Sequence, residues 1–364
     1  MRILSVFGTR PEAIKMTPVL RALAAEPDIE SRVCVTGQHR ALLDEVLGLF
    51  DIVPDMDLDL MAPDQGLNPL FARAVEQLDR VLAEMAPDRI LVQGDTTTAF
   101  AAAQAASHRR IPVAHVEAGL RTYATHPWPE ESNRRAIALL ADLHFAPTPG
   151  AAANLAGEHV AGPIHVIGNT GIDALHMILR RLDSEPPPAA TPRKLVLVTG
   201  HRRENFGAPF EAICSALREI ARRADVDILY PVHPNPRVRE PVEAAIGQVP
   251  HICLVAPLDL IAFVQAMRAA VLILTDSGGV QEEAATIGKP VLVLRETTER
   301  PEGVTAGLAR LVGTDATTIV AEAAALLDDP PPLRPSQLYG DGRAATRIVD
   351  ALRGRPVEAF VPSA

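Results

Sequence analysis

Cysteine is scarce in this chain of 364 residues: there are three, Cys34, Cys214 and Cys253, far apart and in no CxxC pattern. An odd number so spaced builds neither a disulfide framework nor a zinc cage, and it fits a reducing compartment. There is no HExxH and no EF-hand loop, so no protein-bound metal is expected. The phosphate-loop pattern GxxxxGK[ST] is missing; Gly288-Lys289 runs into Pro290 and a strand, which makes it a turn. A loose GxGxxA, Gly340 to Ala345, follows Gln337-Leu338-Tyr339 late in the chain rather than an opening strand, and reads as a helix start. With no nicotinamide site, no cofactor is expected. Positive charge is in deficit: the net charge is −10, and lysine stands only at Lys15, Lys194 and Lys289. That argues against binding nucleic acid and leaves room for a local anion pocket. No apolar run is long enough to span a bilayer, so no membrane insertion is expected. The chain opens on a strand-like run, Ile3 to Phe7, without the basic and apolar parts of a signal peptide, and a cytoplasmic location is expected.

What is present is alternation. Apolar runs of strand length recur between segments of helical period, the βαβ pattern of a parallel sheet. Strands are expected at Arg2–Phe7, Arg32–Thr36, Arg89–Gln93, Pro112–Val116, Leu143–Ala146 and His165–Ile167. Helices are expected at Glu12–Ala25, Arg40–Phe50, Leu70–Met85 and Thr97–Ser107. The alternation restarts with strands at Leu195–Thr199, Ile228–Pro231, Ile252–Leu254, Val271–Leu274 and Val291–Leu294. Helices of this half are Phe210–Arg223, Leu260–Ala269, Val280–Ile287 and Thr318–Leu327. Between the halves, a helix Ile172–Leu182 leads into the proline-rich stretch Glu185–Pro192, which suits neither helix nor central strand. The fold class is α/β: two Rossmann-like, doubly wound parallel-sheet domains, 1–170 and 171–343, with a final helical segment 344–364 packing back on the first.

Ligands of such sheets sit beyond the carboxyl ends of the strands. The junction AVLILTDSGGVQEEA, Ala270 to Ala284, turns from a buried strand through Ser277-Gly278-Gly279 into a helix. It aims backbone N–H groups and the positive end of the helix dipole at one spot, which suits a phosphate. Paired glycines let the backbone approach an anion, Ser277 caps the helix and offers a hydroxyl, and Glu283 stands a turn further on, within reach of a ribose hydroxyl. A capped helix after a buried strand is the plainer reading of the same residues. After the first strand, Gly8 to Arg10 form a tight loop before Pro11, and Arg10 and Lys15 put positive charge at its mouth. Asp95 and Glu117 follow two central strands, and if those strands are neighbours the two acids share a crevice and acquire unequal pKa values. Asp95 is also placed to cap the helix that begins with three threonines. The segment Thr122 to Arg135 carries the only tryptophan, Trp128, between two prolines, followed by Glu130, Glu131, Arg134 and Arg135. It reads either as a stiff loop feeding acids toward Glu117 or as a decorated helix N-terminus. His201 and Arg202 form a cationic corner fitted to a diphosphate, and His233 lies at the equivalent end of the next strand.

Together these pieces resemble one family, the bacterial non-hydrolysing UDP-N-acetylglucosamine 2-epimerases. The matching motifs are FGTRPEAIKM from Phe7, QHR from Gln38, GDTTT from Gly94, HVEAGLRT from His115, PWPEESNR from Pro127, TGHRREN from Thr199, YPVHPNP from Tyr230, LTDSGGVQEEA from Leu274 and TTERPE from Thr297. They run in family order across nearly the whole chain. The resemblance implies a GT-B-like fold, two domains facing across a cleft that holds the sugar nucleotide, and a homodimer. It implies reversible epimerisation of UDP-GlcNAc and UDP-ManNAc by elimination and re-addition of UDP, without net hydrolysis, supplying bacterial surface polysaccharide. It gives catalytic positions to Asp95, Glu117, Glu131 and His201, supported by Lys15 and Arg135, and UDP-holding positions to Arg10, His233, Phe263, Ser277, Gly278, Gly279, Glu283 and Arg300. A regulatory UDP-GlcNAc pocket would use Gln38, His39 and Gln65, where Ala41 and Asp64 depart from the polar or basic residues of some members. A GT-B glycosyltransferase, a hydrolysing epimerase and a non-catalytic sensor of the same nucleotide share much of this pattern.

Overall fold

A computed structural model describes residues 1–37, 40–62, 65–184, 192–200, 207–232 and 236–363. Two compact units emerge: Met1–Ala174 with Tyr339–Pro362, and Leu175–Leu338 with Ser363.

The first unit holds β1 (Arg2–Phe7), β2 (Glu30–Val35), β3 (Met56–Asp57), β4 (Arg89–Gln93), β5 (Val113–Val116), β6 (Leu143–Ala146) and β7 (Ile164–Val166). Its helices are α1 (Arg10–Ala24), α2 (Arg40–Leu49), α3 (Leu67–Met85), α4 (Thr97–His108), α5 (Glu130–Leu140) and α6 (Pro149–Gly157). The strands lie in the order β3-β2-β1-β4-β5-β6-β7, and every neighbouring pair is parallel. The order reverses between β1 and β4, which opens a crevice at their carboxyl ends. Helices cover both faces, so the central strands are buried: β4 from Ile90 to Gln93 and β5 along its whole length. Towards the edge, β2 buries only its last three residues. Helix α4 is rich in alanine, and these small side chains let it pack closely between α3 and α5.

Helix α7 (Thr170–Leu182) carries the chain out of the first unit, and the boundary falls within it, after Ala174. Its first turn belongs to the first unit because Ile172 and Ala174 are buried there. The second unit contains β8 (Lys194–Thr199), β9 (Val226–Pro231), β10 (Ile252–Val255), β11 (Leu272–Thr275), β12 (Val291–Val293) and β13 (Ala309–Leu311). Between and after them come α8 (Ala208–Ala221), α9 (Pro236–Ile246), α10 (Leu260–Ala269), α11 (Gly278–Thr286), α12 (Pro301–Thr305) and α13 (Ala316–Asp328). The sheet order is β10-β9-β8-β11-β12-β13, again all parallel, with the reversal between β8 and β11. Val196, Val198, Leu272 and Leu274 form its core with Ile213, Leu217 and Ile319.

The chain then returns to the first unit, where α14 (Ala344–Leu352) packs on α1. Asp173 receives its start, accepting from the N–H groups of Ala344 at 3.2 Å and Ala345 at 2.8 Å. Burial pushes this carboxyl up to about 6. Arg353 closes the other end against Glu26 and, at 2.8 Å, Asp28. Among the described residues no helix is long and apolar enough to cross a membrane.

Candidate active site

Three loops leave the first sheet side by side, after β1, β4 and β5. Glu12 ties two of them together. Its carboxylate accepts from the N–H groups of Gly8 at 3.0 Å and Thr9 at 2.8 Å, and from the Thr96 hydroxyl at 2.7 Å. Complete burial pushes its carboxyl up, against the pull of these donors. Gly8 has no substitute here, since a Cβ would lie 2.0 Å from the Thr36 hydroxyl. The cap of α4 is Thr96, whose hydroxyl accepts from the N–H of Ala99 at 3.0 Å, so capping does not occupy Asp95.

Glu117, the residue after β5, has φ of +65°, in the left-handed region that a non-glycine residue adopts at a cost of about 1–3 kcal/mol. Its side chain is 8 % exposed. Among the described residues, three donors converge on the carboxylate. Lys15 Nζ from α1 lies 2.5 Å from Oε1, Asn169 Nδ2 lies 3.2 Å from the same oxygen, and Gln93 Nε2 from the end of β4 lies 2.5 Å from Oε2. The residues flanking Glu117 serve the frame. His115 Nε2 donates to the Gly94 carbonyl at 2.7 Å, and burial holds the imidazole neutral by lowering its pKa to about 3. Arg121 pairs with Glu158 through two contacts of 2.8 Å, which holds that carboxyl below its ordinary range.

β4 and β5 are indeed neighbours. Asp95 and Glu117 each have a cation of their own, however: Arg134 Nη2 stands 2.6 Å from Asp95, as Lys15 stands by Glu117. Glu131 lies in the first turn of α5 with its side chain 5 % exposed. It accepts from the N–H groups of Thr122 at 3.1 Å and Tyr123 at 3.2 Å, with Arg134 Nη1 at 3.5 Å. Arg134 thus joins Asp95 to Glu131, and Glu131 braces the loop before α5. Helical phase decides which arginine does this, because Arg135 points outward and is exposed. Asp95, with a 26 % exposed side chain, is the most open of the three acids. Arg10 opens α1 and lies 3.7 Å from Glu45.

In the second unit, β11 leads into α11 as its residues suggest. The hydroxyls of Thr199 and Thr275 meet at 2.5 Å, and Thr275 Oγ1 also accepts from the N–H of Ser277 at 3.0 Å. Ser277 holds the N-cap position, yet its hydroxyl makes no capping bond. The two glycines differ. A Cβ on Gly278 would lie 2.5 Å from the Arg300 guanidinium, so the absent side chain seats Arg300 against the start of α11. A Cβ on Gly279 would meet nothing within 4 Å among the described residues, so they leave the helix N-terminus open there. Arg300 Nε donates to Glu282 at 2.7 Å and its Nη1 lies 3.5 Å from Glu299, which also pairs with Arg295 at 2.8 Å. Glu282 therefore belongs to a buried ionic network, whereas Glu283 and Phe263 are half-buried.

His201, Arg202, His233, Gln38, His39 and Asp64 lie outside the described residues. Gln65 is described, and its Oε1 is buried with no hydrogen-bond partner among the described residues. Two residues that motif reading passed over, Gln93 and Asn169, complete the Glu117 cluster. Their positions, at a strand end and just before a helix, were the only signals.

The open Gly279 gives a direct test of the anion site. Gly279→Ala is expected to weaken diphosphate binding by at least about tenfold, through obstruction of the N–H groups. Thermal stability should hold or rise, because alanine is favoured over glycine in a helix by about 1 kcal/mol. Calorimetric titration with pyrophosphate, beside a melting curve, reads both.

A family model described as UDP-N-acetylglucosamine 2-epimerase matches residues 21–353. The Escherichia coli K12 protein named UDP-N-acetylglucosamine 2-epimerase is 52 % identical over 98 % of this chain and 100 % of its own length. The crystal structure of UDP-GlcNAc 2-epimerase from Neisseria meningitidis bound to UDP-GlcNAc is similar with a TM-score of 0.94 and 43 % identity, covering 98 % of this chain and 100 % of that one. The S. aureus MnaA–UDP co-structure has a TM-score of 0.91 and 41 % identity, covering 99 % of this chain and 100 % of its own.

Proposed function

Because this chain belongs to the UDP-N-acetylglucosamine 2-epimerase family, we propose that it is an isomerase that interconverts UDP-GlcNAc and UDP-ManNAc. The observation that carries the chemistry is the strand-end carboxylate Glu117, held by Lys15, Gln93 and Asn169.

The C2 proton of the sugar has no carbonyl beside it, so removing it alone leaves a carbanion with no acceptor for its electrons. Elimination removes that obstacle. A base takes the C2 proton, the C–H electron pair becomes the C1–C2 double bond, and the C1–O bond breaks with its pair leaving on UDP. In the return step a UDP oxygen attacks C1 and an acid delivers a proton to the other face of C2. No electrons are gained or lost overall, so the cycle is complete with protein acid/base groups alone. Glu117 and Asp95 are the carboxylates proposed to handle these protons, with Lys15 and Arg134 fixing their charge. Glu131 holds the loop beside them, and His201 completes the set. The leaving UDP develops negative charge, which the α11 N-terminus, Ser277 and Gly279 are proposed to receive. Arg10, Arg202, His233, Phe263, Glu283 and Arg300 are proposed to complete the nucleotide site. Homodimeric assembly, a cytoplasmic location and supply of surface-polysaccharide precursors belong to the same proposal.

Incubation with UDP-GlcNAc in deuterated water is the test. Deuterium at C2 in both epimers, with little free sugar, is the expected result. Free ManNAc and UDP would instead indicate a hydrolase, and product only on adding an acceptor would indicate a transferase.

A further inference from the structure

Among the described residues, Glu117 is held by three donors of unequal kind. Lys15 brings charge on a flexible four-carbon stem, a point contact that leaves the carboxylate plane free to turn. Gln93 and Asn169 are planar amides, and one binds each carboxylate oxygen, at 2.5 Å on Oε2 and 3.2 Å on Oε1. Two planar donors on opposite oxygens fix the rotation that a single ammonium does not. The amide of Asn169 is itself fixed. Its Oδ1 accepts from the N–H of Gly171 at 2.8 Å, which leaves only Nδ2 to face Glu117. Its backbone N–H donates to the Tyr339 carbonyl at 2.7 Å, and the residue is 2 % exposed. Gly171 closes the arrangement, since a Cβ there would lie 3.2 Å from Asn169 Oδ1 and 3.5 Å from Lys15 Cγ.

We propose that Asn169 is a positioning residue, whose side-chain amide holds the Glu117 carboxylate in the orientation from which it transfers protons. This rests on the reading of Glu117 as an acid/base group. The carboxylate springs from a backbone in the left-handed region, so it has no regular secondary structure to orient it and depends on its partners. A displacement of 1 Å or less at such a group is enough to slow proton transfer by up to about a hundredfold.

The competing account is that Asn169 merely caps α7, which begins at the next residue. Asn169→Asp and Asn169→Ser separate the two. Both keep a side-chain oxygen for the Gly171 N–H, so a capping role survives in either; aspartate has no donor for Glu117, and the serine hydroxyl ends one bond short of the Nδ2 position and does not reach it. The expected result is a kcat lowered by about tenfold or more in Asn169→Ser, and further in Asn169→Asp, where a second carboxylate faces Glu117. KM and UDP affinity should stay within about twofold, and the melting temperatures close to that of the native chain. A kcat within twofold of native in Asn169→Ser would overturn the proposal, as would a loss of kcat accompanied by equal losses of KM and stability. Glu117→Gln is assayed beside them. If that variant is inactive while Asn169→Ser is normal, the inference alone fails; if Glu117→Gln turns over normally, the reading beneath it fails.

Discussion

Glu117→Gln is expected to lower turnover by at least about a hundredfold while UDP binding stays near the native value. Glutamine matches glutamate in size, and the surroundings can receive it. Its carbonyl oxygen accepts from Lys15 and Asn169, and a turn of the Gln93 amide presents an oxygen to the new NH2 group in place of the present 2.5 Å donor contact. The backbone at φ +65° carries either residue at the same cost. What glutamine lacks is a basic oxygen to take a proton and an acidic one to return it. Binding of UDP is proposed to rest on Arg10 and on groups of the second unit, which this change leaves untouched. Single-turnover assays with titration of UDP make the separation visible, and near-native turnover would remove Glu117 from the chemistry.

Arg300→Met is expected to destabilise the second unit by about 3–5 kcal/mol, the cost of stranding buried charge. The Arg300, Glu282 and Glu299 side chains are 9 %, 5 % and 1 % exposed. Removing the guanidinium leaves Glu299 with Arg295 and takes from Glu282 its 2.7 Å contact with Arg300. It also empties the space against Gly278 that only a residue without Cβ permits. Combining the change with Glu282→Gln should recover part of the loss, a coupling of about 1 kcal/mol or more between residues in contact. Urea unfolding of the two single variants and the double variant measures it. Were Arg300 solely a ligand contact, UDP affinity would fall and unfolding would not change.

The alternation of apolar strands and periodic helices exposes this fold in the sequence, because strands covered on both faces need unbroken apolar runs. Ile90–Val92, Leu195–Val198 and Leu272–Leu274 show it most plainly. The elements that escape notice break local rules. Helix α9 begins at Pro236 and carries Pro241 inside it, so proline reads there as a breaker. Helix α6, PGAAANLAG, offers too few large apolar residues for a period to appear. Strands β3 and β13 have two and three residues.

The site divides similarly. Glu117 stands out because a carboxylate at the end of a buried strand has no structural excuse, whereas Asp95 reads equally as a helix cap until Thr96 is seen to take that role. Gln93 and Asn169 are chemically unremarkable amides, and only the fold brings them, from 24 and 52 positions away, to one carboxylate. Arg134 and Arg135 are adjacent in sequence, and the helical turn alone sends the first to Asp95 and the second to solvent.

The return of α14 to α1 has a bearing on how the chain is made. Arg353 meets Glu26 across 327 positions, so the first unit acquires that contact only after the whole second unit has been translated. At a synthesis speed of about 5–20 residues per second, the stretch between the boundary at Ala174 and the return at Tyr339 occupies the ribosome for roughly 8–30 s. Through that interval the nascent first unit carries its sheet without the helix that covers α1. The second unit is in effect an insert within the first, and the order of emergence makes late closure, rather than sheet formation, the step most exposed to chaperones and proteases.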